Sequence, residues 1–333
     1  MRRILKGAIL VMLFAGSQNH VQAQVDPHFS QYYVYPSWLN PALTGAFDGS
    51  YRIAGIYRSQ WGNVASPFQT TGIAADFTTE NNINFGASLL HQKAGDGGYQ
   101  YTTAYANIAY TGVKFGAGNF QRLTFGFQGG MIERRFDRTK MTLGDQWNPV
   151  TGRADNPTLD LVNKTSASSF DMGAGVLYFD AQPGKKANLY AGFSASHITR
   201  PTDEFSAFSD ARLPVRWTAH TGVRLNLSEE ISLTPNLLYL RQGTAEEKMI
   251  GAYMQIKASS VDLLAGVNYR FEDAIAPYVG FTYRNMVLGA SYDINTSDLG
   301  KMVNGSNSFE ISLSFFGKKK VKTPEVEFIC PAL

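Results

Sequence analysis

Residues 215–227 read VRWTAHTGVRLNL, and the two sides of this run differ in kind. Val215, Trp217, Ala219, Thr221, Val223, Leu225 and Leu227 fall on one face at a period of two, while Arg216, Thr218, His220, Gly222, Arg224 and Asn226 fall on the other. Side chains alternate across a strand, so the stretch predicts a strand with one apolar and one polar surface. The apolar face suits lipid and the other suits a wet or polar-packed lumen. Runs of roughly ten residues are what a tilted membrane-crossing strand needs, whereas sandwich strands more often have about five or six.

The alternation recurs in both directions along the chain. Val261, Leu263, Ala265, Val267, Tyr269 and Phe271 oppose Asp262, Gly266, Asn268 and Arg270, and Phe309, Ile311, Leu313 and Phe315 oppose Glu310, Ser312 and Ser314. Strand candidates lie near 51–59, 68–77, 83–91, 100–111, 121–133, 167–180, 187–198, 215–227, 231–241, 248–258, 261–271, 275–284, 286–294 and 307–316. The expectation is an all-β protein: a transmembrane outer-membrane β-barrel of about 14 antiparallel strands, an even number as in bacterial single-chain barrels.

Connection lengths agree with that expectation. With a periplasmic N-terminus, the outward connections include QWGNVASP, HQKAGDGGY, about 134–166, about 199–214 and NTSDLGKMVNGSN. The inward ones are mostly tight: TTENN, DAQPGKK, LSEE, ASS and the Arg284-Asn285 junction, with 114–119 a mild exception. Long outside and short inside is the outer-membrane rule. Composition points the same way, with 32 Gly, 17 Tyr, 22 Phe and only 17% charged residues.

Residues 1–23 have a basic start (Arg2, Arg3, Lys6), a short apolar run and the small-residue site Val21-Gln22-Ala23, and are read as a cleaved signal peptide. The formal net charge of +3 equals the three basic residues of this leader, so the mature chain is balanced and nothing suggests nucleic acid. One cysteine, Cys330, leaves no disulfide framework. The expected organisation is a signal peptide at 1–23, an N-terminal plug or mouth segment at 24–50, a barrel at 51–316 and a periplasmic tail at 317–333, both termini being periplasmic.

The stretch from Gln24 to Trp61, QVDPHFSQYYVYPSWLNPALTGAFDGSYRIAGIYRSQW, is too aromatic for an idle linker. Asp26-Pro27 offers an N-cap and an N1 proline, so a short helix is expected from there, ended by Pro36. Asn40-Pro41 repeats the signal, and Gly45 stands where a left-handed C-cap falls. Phe29, Tyr32, Tyr33, Tyr35 and Trp38 each lose about 1.5–3 kcal/mol of favourable transfer energy if left in water. They are therefore expected to meet the lumen wall or another protein.

Catalytic and cofactor signatures are missing. His28, His91, His197 and His220 have no metal-ligand spacing, and there is no nucleophile elbow, Walker loop or dinucleotide fingerprint. His91 and His197 fall near the outer ends of strands, where barrel hydrolases can keep a catalytic histidine, but no Ser or Asp partner follows from spacing. No enzyme activity, cofactor or metal is expected. Acidic outer loops such as TDEFSAFSD read as solvated. Lumen-facing Arg52, Arg58, Arg216, Arg224 and Arg270 need acceptors, for which Asp262, Asp171 and the carbonyls of the N-terminal segment are candidates.

DPHFSQYYVYPSWLNPALTG followed by a strand and YRSQW resembles the N-terminal signature of the PorP/SprF family, outer-membrane proteins of the Bacteroidetes type IX secretion and gliding-motility machinery. The matching residues are Pro27, Phe29, Ser30, Gln31, Tyr32, Asn40, Pro41, Gly45, Tyr57, Arg58, Gln60 and Trp61. The resemblance implies a non-enzymatic accessory role in protein secretion or surface anchoring of a large adhesin. Its implied partners are outer-membrane lipids and periplasmic ring or peptidoglycan-binding components of the machine. Phe29, Tyr32, Tyr33, Trp38, Asn40, Pro41, Gly45, Arg58, Gln60 and Trp61 are the expected plug or partner contacts. NPALTGAFDGSYRIAGIY is also similar to the Asn-Pro-Ala turn before the first strand of FadL-type transporters, which take up hydrophobic compounds. This chain departs from them in its short segment before Asn40 and in lacking long amphipathic outer-loop helices.

Overall fold

Alternating runs of this kind pair edge to edge, and in the computed structural model they close on themselves. The structure describes residues 26–61, 67–95, 98–137, 140, 144–157, 165–202, 212–259, 261–297 and 308–317. The leader, most of the QWGNVASP, TDEFSAFSD and NTSDLGKMVNGSN loops, and the tail with Cys330 lie outside the described residues.

The barrel strands are β1 (Tyr51–Gln60), β2 (Phe68–Phe77), β3 (Ile83–Ala94), β4 (Tyr99–Phe115), β5 (Gln121–Arg135), β6 (Ser166–Asp180) and β7 (Ala187–Ser196). They continue with β8 (Arg216–Asn226), β9 (Ile231–Gln242), β10 (Ala245–Ile256), β11 (Val261–Arg270), β12 (Ala274–Tyr283), β13 (Met286–Asn295) and β14 (Ser308–Gly317). Each pairs antiparallel with its neighbours in sequence, and β1 closes on β14 with Tyr51 opposite Gly317 and Arg58 opposite Glu310. All fourteen expected strands are present. A two-residue ladder, Trp147–Asn148 with Arg153–Ala154, lies in the connection after β5.

The register sets which face each side chain takes. Outward positions carry Ile53, Ile73, Leu89, Phe127, Trp217, Leu263, Val279 and Ile311, all exposed. An apolar belt around the whole circumference is far larger than the patches soluble monomers show, and it suits hydrocarbon. Inward positions carry Thr70, Asp76, Asp171, Arg216, Thr218, His220, Asn268 and Glu310, all buried. Leu264 also faces inward and is buried, which is why the alternation of VDLLAGVNYRF is broken at that residue. The weakly contrasted FQTTGIAADF is β2, with Ile73 and Phe77 outward and small Thr70 and Ala74 inward.

Tyr51 and Gly317 mark the end of the barrel with tight connections, at 78–82, 116–120, 181–186, 227–230, 257–260 and 284–285. The opposite end carries the long ones, at 136–165, 197–215 and 296–307, though 243–244 and 271–273 are also tight.

The inward face is buried because the chain fills its own lumen. Every residue from Asp26 to Phe47 is buried, and Asp48 is the first exposed one. The helix expected from Asp26 to Pro36 is not formed. The Asp26 carboxylate that would cap it is bound by His197, Arg216 and Tyr101 instead. Residues 30–34 form turns, and the helix α1 (Pro36–Leu39) starts at Pro36, where the missing N–H of proline costs nothing. Asn40 caps the 3₁₀ turn Pro41–Leu43 by accepting from the Ala42 N–H at 2.9 Å, and Gly45 follows at φ +71°.

Candidate functional site

The segment from Asp26 to Gly45 reaches every strand of the barrel, so the lumen and this segment form one site. Three buried polar anchors hold it.

The first is centred on Ser30 and Gln31. Their backbone N–H groups donate to the two carboxylate oxygens of Glu310 on β14, at 2.6 and 2.8 Å. Arg58 on β1, opposite Glu310 across the closing seam, bonds the same carboxylate and Asp293 on β13. Arg270 on β11 donates to Asp293 at 2.8 Å and also pairs with Asp273. The Ser30 hydroxyl sits among them, accepting from Arg58 and Arg270 at 3.1 Å and donating to Asp293 at 2.7 Å. His28 Nε2 lies 3.2 Å from Arg58. Buried charges are tolerated only when paired and hydrogen-bonded, and here the paired set closes around the segment.

The second anchor is Asp26, near the long-connection end. Its carboxylate accepts from Arg216 at 2.9 Å and Tyr101 at 3.1 Å, and pairs with His197 Nε2 at 2.7 Å. The other ring nitrogen of His197 meets Asp171 at 2.8 Å, which also accepts from Tyr105 and Thr199. Burial opposes a charge on His197, but the Asp26 and Asp171 carboxylates outweigh it and push the imidazole up to about 9. Burial likewise opposes the Asp26 charge, yet His197 and Arg216 hold its carboxyl well below the usual range. Arg216 further donates to the Trp38 carbonyl at 2.6 Å and lies over the Trp38 ring.

The third anchor is at the tight-turn end, where Arg52 pairs with Asp76, donates to the Leu43 carbonyl at 3.4 Å and stacks on Phe47.

Between the anchors, aromatic and glycine packing fills the space. Phe29 meets Tyr35 and Trp38 edge-on at centroid distances of 5.9 and 6.0 Å, and Tyr33 packs on Tyr253 and Tyr278. Asn40 donates to the Val176 carbonyl at 3.0 Å and lies 3.3 Å from His220. The Asn40-Pro41-Ala42 turn lies against inward glycines of three successive strands, Gly126, Gly175 and Gly192. A Cβ at Gly126 would fall on the main chain of Pro41 and Ala42, and one at Gly175 on the Asn40 amide. Beside Asp26 a cavity of ≈ 20 Å³ remains, bordered by Tyr35, Trp38, Tyr105 and His197, with room for about one water.

Of the expected contact residues, Phe29, Tyr32, Tyr33, Trp38, Asn40, Pro41, Gly45 and Arg58 come together in the lumen. Gln60 and Trp61 do not: they are half-buried at the far end of β1, where Trp61 meets Phe68 edge-on. Arg58 and Arg270 use Asp293, Arg216 uses Asp26 and Arg52 uses Asp76, whereas Asp171 serves His197 and Asp262 accepts from Gln255. The expected carbonyl contacts occur from Arg216 to Trp38 and from Arg52 to Leu43. Glu310 and Asp293 stand out in the sequence as single acids on otherwise small or polar inward faces of β14 and β13, whereas Asp26, in the lumen segment, has no such signal.

His197 is held between two carboxylates rather than against a nucleophile, and His91 Nδ1 meets the Thr102 hydroxyl at 2.9 Å. Among the described residues no group of three or more His, Cys, Asp or Glu is placed to hold a metal ion.

The family described as Type IX secretion system membrane protein PorP/SprF matches residues 21–315. No curated protein matches the chain by sequence. Among solved structures, the toluene transporter TbuX of Ralstonia pickettii is similar, with a TM-score of 0.54 and 10% identity over 84% of this chain and 92% of that one. The P. putida toluene transporter TodX gives 0.48 and 10% over 86% and 95%. A Pseudomonas aeruginosa FadL homologue gives 0.47 and 10% over 83% and 91%. The likeness to TbuX concerns the fold alone.

Proposed function

Because the chain belongs to the PorP/SprF family of type IX secretion system membrane proteins, we propose that it is a non-enzymatic outer-membrane component that assists secretion or surface anchoring of a partner protein, such as a large adhesin. Both termini lie in the periplasm in this reading, so the long connections 136–165, 197–215 and 296–307 face outward. Periplasmic ring or peptidoglycan-binding components of the machine dock at the tight-turn end.

The observation that carries the choice of an accessory over a conduit is the filled lumen. Residues 26–47 are all buried inside the barrel. A cargo chain passing through would have to displace three charged anchors, and a hydrophobic solute would have to displace the aromatic packing between them, the cavity beside Asp26 having room for about one water. Work is thereby assigned to the rims and the outer loops, where a surface protein can be held.

The test compares the surface and released proteins of a deletion strain with those of its parent. A surface protein trapped in the periplasm or shed into the medium supports the proposal. An unchanged surface profile, with growth altered on one hydrophobic substrate, contradicts it and supports FadL-like uptake instead.

A further inference from the structure

We propose that the lumen is a polypeptide-binding site whose ligand is the chain's own segment from Asp26 to Gly45, held by the wall and not by its covalent link to β1.

The wall reads the main chain of the segment, as a peptide receptor does. Glu310 accepts the N–H groups of Ser30 and Gln31, while Asn268 donates to the Ser30 carbonyl at 3.0 Å. Ser194 donates to the Leu39 carbonyl at 2.8 Å, and Arg216 to that of Trp38 at 2.6 Å. These bonds fix the path of the backbone whatever its side chains are.

Side chains add selectivity. Asp26 requires the His197–Arg216 pair, and the Ser30 hydroxyl fits between Arg58, Arg270 and Asp293. The Gln31 side chain accepts from Ser312 at 2.8 Å, the Tyr32 hydroxyl donates to Asn236 at 2.9 Å, and the Asn40 turn lies on inward glycines. The ligand class is a compact, turn-rich segment with an acid four residues before a Ser-Gln pair and an Asn-Pro turn nine residues after it. The link to β1 is of a different character. Phe47 is the last of the buried run, Asp48 is exposed, and Ser50 is bonded to Gly317 at the barrel rim.

The test uses the full chain with a protease recognition sequence inserted after Asp48, folded in detergent and then cut. The expected result is that the fragment ending at Asp48 co-elutes with the barrel in equimolar amount and leaves on boiling. A labelled synthetic peptide of residues 24–45 should exchange into the cut protein, and one of scrambled order should not. Exchange should be about tenfold faster or more in Glu310→Gln, a loss of about 1.4 kcal/mol in binding. Ser194→Ala, which removes a single neutral hydrogen bond, serves if that variant does not fold, with a smaller acceleration expected. Loss of the fragment on cutting the unsubstituted chain overturns the proposal, as does equal exchange with the scrambled peptide.

Discussion

Ser30 and Glu310 stand 280 positions apart in sequence, and the backbone N–H of Ser30 donates to the Glu310 carboxylate across 2.6 Å. Glu310 is also opposite Arg58 at the β1–β14 seam, so the bond ties the lumen segment to the place where the barrel closes. Removing the carboxylate leaves two backbone donors and a buried guanidinium short of an acceptor. Glu310→Ala is expected to cost about 3–5 kcal/mol, as for other broken buried pairs. The temperature at which the folded gel band converts to the unfolded one measures it.

Glycines at the contact with the segment differ in consequence from glycines facing lipid. A Cβ at Gly126 meets the main chain of Pro41 and Ala42, which cannot rotate away, whereas one at Gly129 meets only the Phe170 ring at 3.8 Å. Gly126→Ala should cost about 1–3 kcal/mol through overpacking. Gly129→Ala should stay within about 0.5 kcal/mol. The same conversion temperature separates them, and equal effects would place the segment elsewhere.

His197 is pushed up to about 9 in the folded protein, above the ordinary histidine value of 6.5. A raised folded-state pKa gives stability that is complete below the unfolded value and lost as pH rises through the folded one. Resistance to heat should therefore fall between about pH 7 and 9 in the unsubstituted protein. His197→Gln should start lower and lack that slope. A slope of the same size in both proteins would assign it to other groups.

Much of the fold is legible in the sequence, because a strand's two faces here meet opposite environments. VRWTAHTGVRLNL sets Trp217 in the lipid-facing belt and Arg216, Thr218 and His220 in the buried interior, as period two requires. The site is less legible, since its pairs join residues far apart in the chain. Nothing local links Asp26 to His197 or Ser30 to Glu310, and Asp26 reads as a helix cap because capping is what an Asp-Pro pair does when left to itself. Gln60 and Trp61 show the converse: they share the motif with Arg58, but β1 carries them past the segment to the far rim.

The segment from Asp26 to Phe47, buried along its whole length, is expected to seal the barrel. The most direct measurement is conductance across a planar lipid bilayer containing the purified full-length protein, beside a variant lacking Asp26 to Gly45. The intact protein should give no steady channel current, and the deletion should either conduct or fail to form a heat-modifiable barrel. A steady current through the intact protein, unchanged by the deletion in a barrel that still folds, would contradict it.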